Sequence, residues 1–235
     1  MNRALAEVIE LYTTKSQGEL INYLIGCSKN NLIAMLVDLL TMYINDKNSS
    51  TLREFITVTL AGYVHERRKI GYNGYKHDTI NPEHTIKCEA KPKNINTNDF
   101  EEYKQGKRST KPQKLNGGGN FTDYTLERFE KDIRENINML VSGFVDGRLI
   151  YIIEFPFNTP DFIKNLEIQI KKWQNKLRGS QNVSGQFLRS AYFDYRHYIN
   201  SSKLRIVYLL PKKELRTYKE YISKGFYNFL VSKAI

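Results

Sequence analysis

The sequence predicts an α/β protein that combines a helical N-terminal region with a strand-containing core. In residues 3–46 apolar side chains recur at helical spacing. Two later stretches, residues 71–91 and 139–155, show the turn signals and residue preferences of strand pairs. We therefore divide the chain into a helical region, residues 1–68, and a core, residues 69–235, which together form one compact domain.

Residues 3–46 are predicted to form helices that are broken near Gly18 and around residues 26–31, and a further helix follows them. Ser50 or Thr51 caps a helix that runs to about Arg68. In the preceding segment five residues at helical spacing are predicted to form a buried face: Leu32, Leu36, Leu39, Leu40 and Tyr43.

The first strand pair surrounds a turn predicted at Asn81–His84, with proline at its second position. A hairpin closed by that turn pairs Asp78 with Lys87. Because side chains alternate along a strand, Lys87, Glu89 and Lys91 share one face, and Asp78 joins them. Side chains on such a diagonal lie roughly 7 to 8 Å apart, so we expect Asp78 and Glu89 to share one cation.

Two carboxylates beside a lysine provide the chemistry for cleaving a phosphodiester bond. Asp78 and Glu89 would hold Mg²⁺, which prefers oxygen ligands, and Lys91 would position or activate the attacking water. The net charge of +11 and the pI of about 9.4 favour a polyanionic substrate. The alternative is a solvated hairpin face on which these charged residues have no catalytic role.

The motif resembles the PD-(D/E)XK nucleases and, among them, the type II restriction endonucleases. The resemblance rests on Asp78, Glu89 and Lys91 and on the Lys-Pro-Lys-Asn continuation at 91–94, after a largely helical region. His77 stands where the family's proline precedes the aspartate. The resemblance implies a restriction-endonuclease-like core with a central mixed β-sheet flanked by helices, Mg²⁺-dependent cleavage of double-stranded DNA, and a homodimer.

Two further residues are candidates through the same resemblance. A helix before the motif can supply another carboxylate, which makes Glu66 a possible third metal ligand; a surface glutamate beside Arg67 and Arg68 is the alternative. A later helix is predicted from Thr159 or Asp161 to about Arg178. By the same resemblance its Gln169 would lie near the site; the alternative is that the helix presents a solvated basic face.

Residues 92–120 are predicted to form a long irregular segment that either wraps DNA or is a solvated linker. Its predicted DNA contacts are Lys93, Lys107, Arg108, Lys111 and Lys114. The segment ends in Asn116–Asn120, whose three glycines lack the Gly-Lys-Ser/Thr completion of a phosphate-binding loop. We therefore expect no nucleotide cofactor.

The C-terminal half is predicted to contain a second hairpin, with strands at 139–145 and 149–155 joined through Asp146-Gly147-Arg148. Asp123 and Glu154 form a rival carboxylate pair, ranked lower because no lysine follows Glu154 at the second position. A buried strand is expected at 204–210.

The stretch 189–198 mixes basic and aromatic residues, which makes Arg189 and Arg196 candidate DNA contacts. The alternative is that its aromatic residues form core. A terminal helix is expected at about 215–233, with five apolar or aromatic residues as its packing stripe.

Composition narrows the function classes. Two cysteines in different contexts give neither a disulfide framework nor a zinc motif, and a reducing cytoplasm is the simpler expectation. The sequence contains no run of about 18 apolar residues, so no membrane span is predicted. The sequence thus predicts a Mg²⁺-dependent deoxyribonuclease of the type II restriction class. The alternatives are a repair or junction-resolving nuclease of the same fold and a non-catalytic basic DNA-binding protein.

Overall fold

The structure is a computed structural model that describes residues 3–45, 51–66, 71–78, 81, 83–178 and 188–234. Within these ranges the side chains of residues 40–45, 176–178 and 189 are not described.

Helices dominate the N-terminal region, and strands and helices alternate after it. The helices are α1 (Arg3–Thr14), α2 (Gln17–Gly26), α3 (Lys29–Asn45), α4 (Thr51–Leu60), α5 (Thr97–Lys104), α6 (Leu126–Glu135), α7 (Pro160–Arg178), α8 (Lys212–Leu215) and α9 (Lys224–Lys233). The strands are β1 (Val64–His65), β2 (Gly74–His77), β3 (Thr85–Ile95), β4 (Gly119–Tyr124), β5 (Asn138–Val145), β6 (Arg148–Pro156), β7 (Leu188–Phe193) and β8 (Arg205–Leu209).

The central sheet has six strands in the order β1-β2-β3-β5-β6-β8. Strands β3 and β5 are parallel, and the other neighbouring pairs are antiparallel. The chain crosses from β3 to β5 through α5, β4 and α6, as a parallel connection requires. The predicted mixed sheet flanked by helices is therefore confirmed.

The β5–β6 hairpin forms where the sequence predicts it. Asp146 and Gly147 both adopt positive φ angles, 47° and 79°, which is the geometry of a type I′ turn. Strands β5 and β6 are almost wholly buried because both faces of the sheet are covered.

The two faces of the central sheet carry different cores. On one face α1 and α4 pack against the buried residues Phe144, Leu149 and Ile152. On the other face a larger aromatic cluster joins α7, α9 and a second, two-stranded sheet formed by β4 and β7. None of the described helices has the length and apolar composition to cross a membrane.

Three predictions about individual elements differ from the structure in whole or in part. Helix α4 ends at Leu60 rather than near Arg68, because Gly62 takes a left-handed conformation with φ of 84°. Residues 92–120 contain the end of β3, helix α5 and the start of β4, so the irregular part of this segment is mainly residues 105–118. Among the described side chains of α3, Met35 is the buried one. The predicted Leu32, Leu36 and Leu39 are exposed, and the side chains of Leu40 and Tyr43 lie outside the described set.

The predicted terminal helix is divided into α8, a 3₁₀ helix at Arg216–Tyr221 and α9. The division has a clear cause at Leu115. Its N–H donates to the carbonyl of Tyr221, and its carbonyl accepts from the N–H of Ser223, each at 2.8 Å. These bonds hold the backbone at Ile222 extended and interrupt the helix.

Candidate functional site

The predicted turn exists, but the hairpin around it has a different register. The N–H of His84 donates to the carbonyl of Asn81 at 2.9 Å, as expected for a β-turn. Lys87, however, lies opposite Tyr75, and Asp78 pairs with His84 through an N–H to carbonyl bond of 2.9 Å. The residue opposite Lys87 is therefore 75 instead of the predicted 78, a shift of three positions. Because side chains alternate along a strand, an odd shift places the Asp78 side chain on the face opposite to that of Lys87. The prediction that Asp78 shares a face with Glu89 and Lys91 is therefore wrong.

The register also separates Asp78 from Glu89 along the sheet. Asp78 pairs with His84, and the step along β3 from His84 to Glu89 is five residues, or about 16 Å. A single ion bound directly by both carboxylates cannot span that separation. Asn73, not Asp78, lies beside Glu89, because its N–H donates to the carbonyl of Cys88 at 3.0 Å.

Asn73 is held by two elements of the fold. Its Oδ1 accepts from the N–H of Ala90 at 2.7 Å, and its Nδ2 donates to Oε2 of Glu54 on α4 at 3.2 Å. The N–H of Glu66 donates to the carbonyl of Asn73 at 2.8 Å. Glu66 therefore lies two strand positions across the sheet from Glu89, roughly 9 to 10 Å between backbones. Of the two other predicted metal ligands, Glu66 comes closer to Glu89 than Asp78 does.

Glu89 and Lys91 form a direct ion pair on β3. Nζ of Lys91 donates to Oε1 of Glu89 at 2.7 Å, and only 7% of Glu89 is exposed. Nη2 of Arg128 on α6 contacts the other carboxylate oxygen at 3.4 Å. Sequence analysis missed Arg128, although its spacing of four residues from Asp132 is the usual signal of a helical ion pair.

Asp132 holds Arg128 in place from the next turn of α6. The Asp132 carboxylate is fully buried and accepts hydrogen bonds from the hydroxyls of Tyr124 and Tyr72, at 2.7 and 3.0 Å. Nε of Arg128 contacts the same carboxylate at 3.4 Å. Burial raises the pKa of Asp132, and the hydrogen bonds and Arg128 oppose that rise. The Glu89–Lys91 pair thus rests on a connected polar network that fixes its geometry.

The glycines at 117–119 lie where neighbouring groups approach the backbone closely. A Cβ atom on Gly119 would lie 2.6 Å from Cβ of Lys91, and one on Gly118 would collide with the carbonyl oxygen of Phe193. Nζ of Lys91 lies 4.7 Å from the centre of the Phe121 ring, a cation–π distance. Gly119 therefore allows β4 to pack closely against β3 at Lys91.

A cleft of about 1000 Å³ opens beside Lys91. Its described lining includes four lysines and one carboxylate, Glu54; the lysines are Lys91, Lys93, Lys111 and Lys114. Nζ of Lys93 donates to Oε1 of Gln113 at 3.1 Å and to the carbonyl of Lys114 at 3.2 Å. Burial lowers the pKa of Lys93. The excess of lysines makes the cleft suited to an anionic ligand.

The predicted DNA contacts divide into two groups. Lys93, Lys111 and Lys114 line the cleft. The others are absent from its described lining: Lys107 is exposed, Arg108 pairs with Asp99 at 2.6 Å, and Arg196 binds the carboxylate of Asp194. Arg189 belongs to β7, but its side chain is not described.

Several polar residues of the cleft were not among the predicted contacts, including Asn120, Ser190 and Tyr192. The available signal was strand alternation, since each is next to a buried residue of β4 or β7.

Magnesium fits this region only in part. Among the described residues no group of three or more His, Cys, Asp or Glu side chains could hold a metal ion. Of the predicted pair only Glu89 adjoins Lys91. Because Mg²⁺ is often held by one or two carboxylates together with substrate phosphates, Glu89 remains compatible with a site that the substrate completes.

The sequence matches no protein family and no curated protein. The function must therefore be argued from the chemistry of the cleft, since a fold class alone does not specify an activity.

Proposed function

We propose that this protein is a Mg²⁺-dependent endonuclease that binds double-stranded DNA in the basic cleft and hydrolyses it, in the manner of a type II restriction enzyme. One observation carries the proposal. Lys91, paired with a buried glutamate, lines a cleft of about 1000 Å³ together with three more lysines. A lysine next to a carboxylate in an anion-binding cleft is a combination that supports metal-assisted hydrolysis of a phosphodiester.

The cleft lysines account for substrate binding. Ammonium groups on its walls neutralise successive phosphates and release counterions, which gives affinity without regard to sequence. The net charge of +11 adds long-range attraction for a polyanion.

Lys91 and Glu89 account for the chemical step. The 2.7 Å bond to Glu89 and the packing of Lys91 on Phe121 orient the ammonium group beside the cleft. From there Lys91 donates to a phosphate oxygen or orients the attacking water. Arg128 helps to keep the Glu89 carboxylate in place. Magnesium, when bound beside Glu89, supplies positive charge that stabilises the negative charge developing on the phosphate.

A non-catalytic DNA-binding protein is the second candidate, and one observation favours it. The Glu89 carboxylate already contacts two cationic side chains, Lys91 and Arg128, while Asp78 lies on the other face of the sheet. A carboxylate compensated in this way need not bind metal.

Incubation of the purified protein with plasmid DNA and, separately, with a branched DNA duplex, each with Mg²⁺ or with EDTA, separates these candidates. Discrete fragments that require Mg²⁺ support a restriction enzyme, and cutting of branched DNA alone supports a junction-resolving enzyme. Salt-sensitive binding without cutting at any Mg²⁺ concentration supports the non-catalytic alternative. Absence of both binding and cutting contradicts the proposal.

We also infer a homodimer, as a restriction enzyme cutting both strands would use. Helices α2 and α3 expose apolar side chains, including Ile25 at 77% and Leu36 and Val37 at 56% each. An apolar surface of this kind is common where proteins associate. Sedimentation velocity tests this inference, and a monomer at all concentrations contradicts it.

A further inference from the structure

Strands β4 and β7 form a two-stranded antiparallel ribbon with two chemically different faces. Asn120 pairs with Tyr192, and Thr122 pairs with Ser190. All four of these side chains are exposed, whereas Phe121, Ala191 and Phe193 on the other face are buried. The exposed face therefore presents uncharged hydrogen-bonding groups.

The ribbon is firmly held on the core. Gln169 on α7 bonds the backbone of Tyr192 twice: Nε2 donates to the carbonyl at 2.8 Å, and Oε1 accepts from the N–H at 2.9 Å. Nδ2 of Asn165 donates to the same carbonyl at 2.9 Å. On the buried side the rings of Phe162 and Phe193 pack edge to face at 4.9 Å. Gln169, a candidate through family resemblance, therefore orients this ribbon through its backbone.

The ribbon and the lysines share one cleft. Asn120, Ser190 and Tyr192 line it together with the four lysines, and Gly119 at the start of β4 lies against Lys91. Charged groups that bind phosphates are thus next to uncharged groups that cannot neutralise phosphate. Protein–DNA contacts divide in the same way, because phosphate contacts position the protein and base contacts specify the sequence.

The dimensions and the side chains favour duplex DNA as the ligand. Two strands about 5 Å apart, with their side chains, fit the major groove of B-DNA, which is about 12 Å wide. The major groove of A-form RNA is too narrow for such a ribbon. Single-strand binding relies on exposed aromatic rings, and of the ribbon's aromatic residues only Tyr192, at 50%, is substantially exposed.

We propose that the β4–β7 ribbon enters the major groove and recognises bases, with Asn120 as the principal specificity-determining residue. This inference rests on the proposed binding of DNA in the cleft. An asparagine amide pairs in bidentate fashion with N6 and N7 of adenine, and serine or threonine hydroxyls contact several base edges. The ribbon therefore selects sites that contain an adenine opposite Asn120, with Thr122 and Ser190 contacting neighbouring bases.

Selection from a randomised duplex library, with EDTA present to prevent cutting, gives the preferred sequence of the wild-type protein. Affinity is then measured for that duplex and for a scrambled one. Asn120→Ala is expected to weaken binding to the preferred duplex about ten- to hundredfold and to leave the scrambled duplex unaffected, because one bidentate base contact is lost. Asn98→Ala, at an exposed asparagine on α5, is the matched control and changes neither affinity.

A second variant, Ser190→Ala, tests the ribbon independently in case Asn120→Ala does not fold. It removes only an exposed hydroxyl and is expected to relax the preference at a neighbouring base pair. Sequence preference retained in both variants overturns the assignment of the ribbon, as does equal wild-type binding to every duplex. Complete absence of wild-type DNA binding instead contradicts the proposed function, so the two failures are distinguishable.

Discussion

Two buried glutamates in the central sheet have similar ionic partners but different surroundings. Glu89 on β3 is 7% exposed and contacts Lys91 and Arg128. Glu154 on β6 is 5% exposed and contacts Arg205 and Lys76. Each carboxylate is compensated by two cations, as burial of charge requires.

The difference lies in what surrounds each pair. Glu154 also accepts hydrogen bonds from the Tyr63 hydroxyl at 2.5 Å and from Nδ2 of Asn138 at 3.0 Å, so the protein itself supplies four partners. Glu154 pairs with Leu140 on β5, and Leu140 pairs with Ala90 on β3, so these three side chains share one face of the sheet. That face packs against α4. Lys91, in contrast, is part of the wall of the basic cleft. A compensated buried glutamate does not by itself mark a site, and what distinguishes Glu89 is that its partner Lys91 lines a cleft.

The largest effect is expected from Lys91→Met. The substitution keeps the packing on Phe121 but removes the charge, and cleavage should fall at least about a hundredfold. Plasmid cleavage under single-turnover conditions measures the loss, and an unchanged circular dichroism spectrum shows that the fold is intact. Normal cleavage by a folded Lys91→Met protein would remove Lys91 from the mechanism.

The matching change at the other glutamate, Arg205→Met, should act on stability. Loss of the hydrogen-bonded guanidinium leaves Glu154 with Lys76 as its one cationic partner among the described residues, and we expect a loss of about 3 kcal/mol in the free energy of unfolding. Urea unfolding measures this change. If folded Arg205→Met also lost specific cleavage activity, the functional contrast between the two glutamates would be refuted.

A smaller effect is expected from the lysines of residues 92–120. Lys111→Ala should weaken DNA binding several-fold and reduce the slope of log K against log salt by about 1, because one phosphate contact disappears. Lys107→Ala is the control, since Lys107 is exposed but absent from the described lining of the cleft. Equal effects of the two substitutions would show that the bound DNA extends beyond this cleft.

The smallest effect is expected from Asp78→Asn. Its backbone position is about 16 Å along β3 from Glu89 and its side chain falls on the opposite face, so cleavage should change less than about twofold. A large loss at saturating Mg²⁺, without loss of stability, would mean that Asp78 reaches the site in another conformation.

Local sequence signals predicted the elements that depend on neighbouring residues. The Asp146-Gly147 turn set the β5–β6 hairpin because these residues tolerate positive φ. Glu89 and Lys91 share a face because two positions along any strand point the same way. The register of β2 and β3 was not predictable in this way, since the β-turn at Asn81–His84 does not specify how many further residues the loop contains.

The α/β class, the basic charge and the shared face of Glu89 and Lys91 follow from the sequence alone, because each depends on composition or on short-range periodicity. The groups that contact Lys91 are known only from the tertiary contacts. Arg128 and Phe121 come from elements of the β3–β5 crossover, and Asp78 is excluded by a shift in strand register. Contacts between distant segments depend on strand register and on the packing of helices against the sheet. Both are determined by the simultaneous burial of the apolar faces of all elements, which local sequence patterns do not specify.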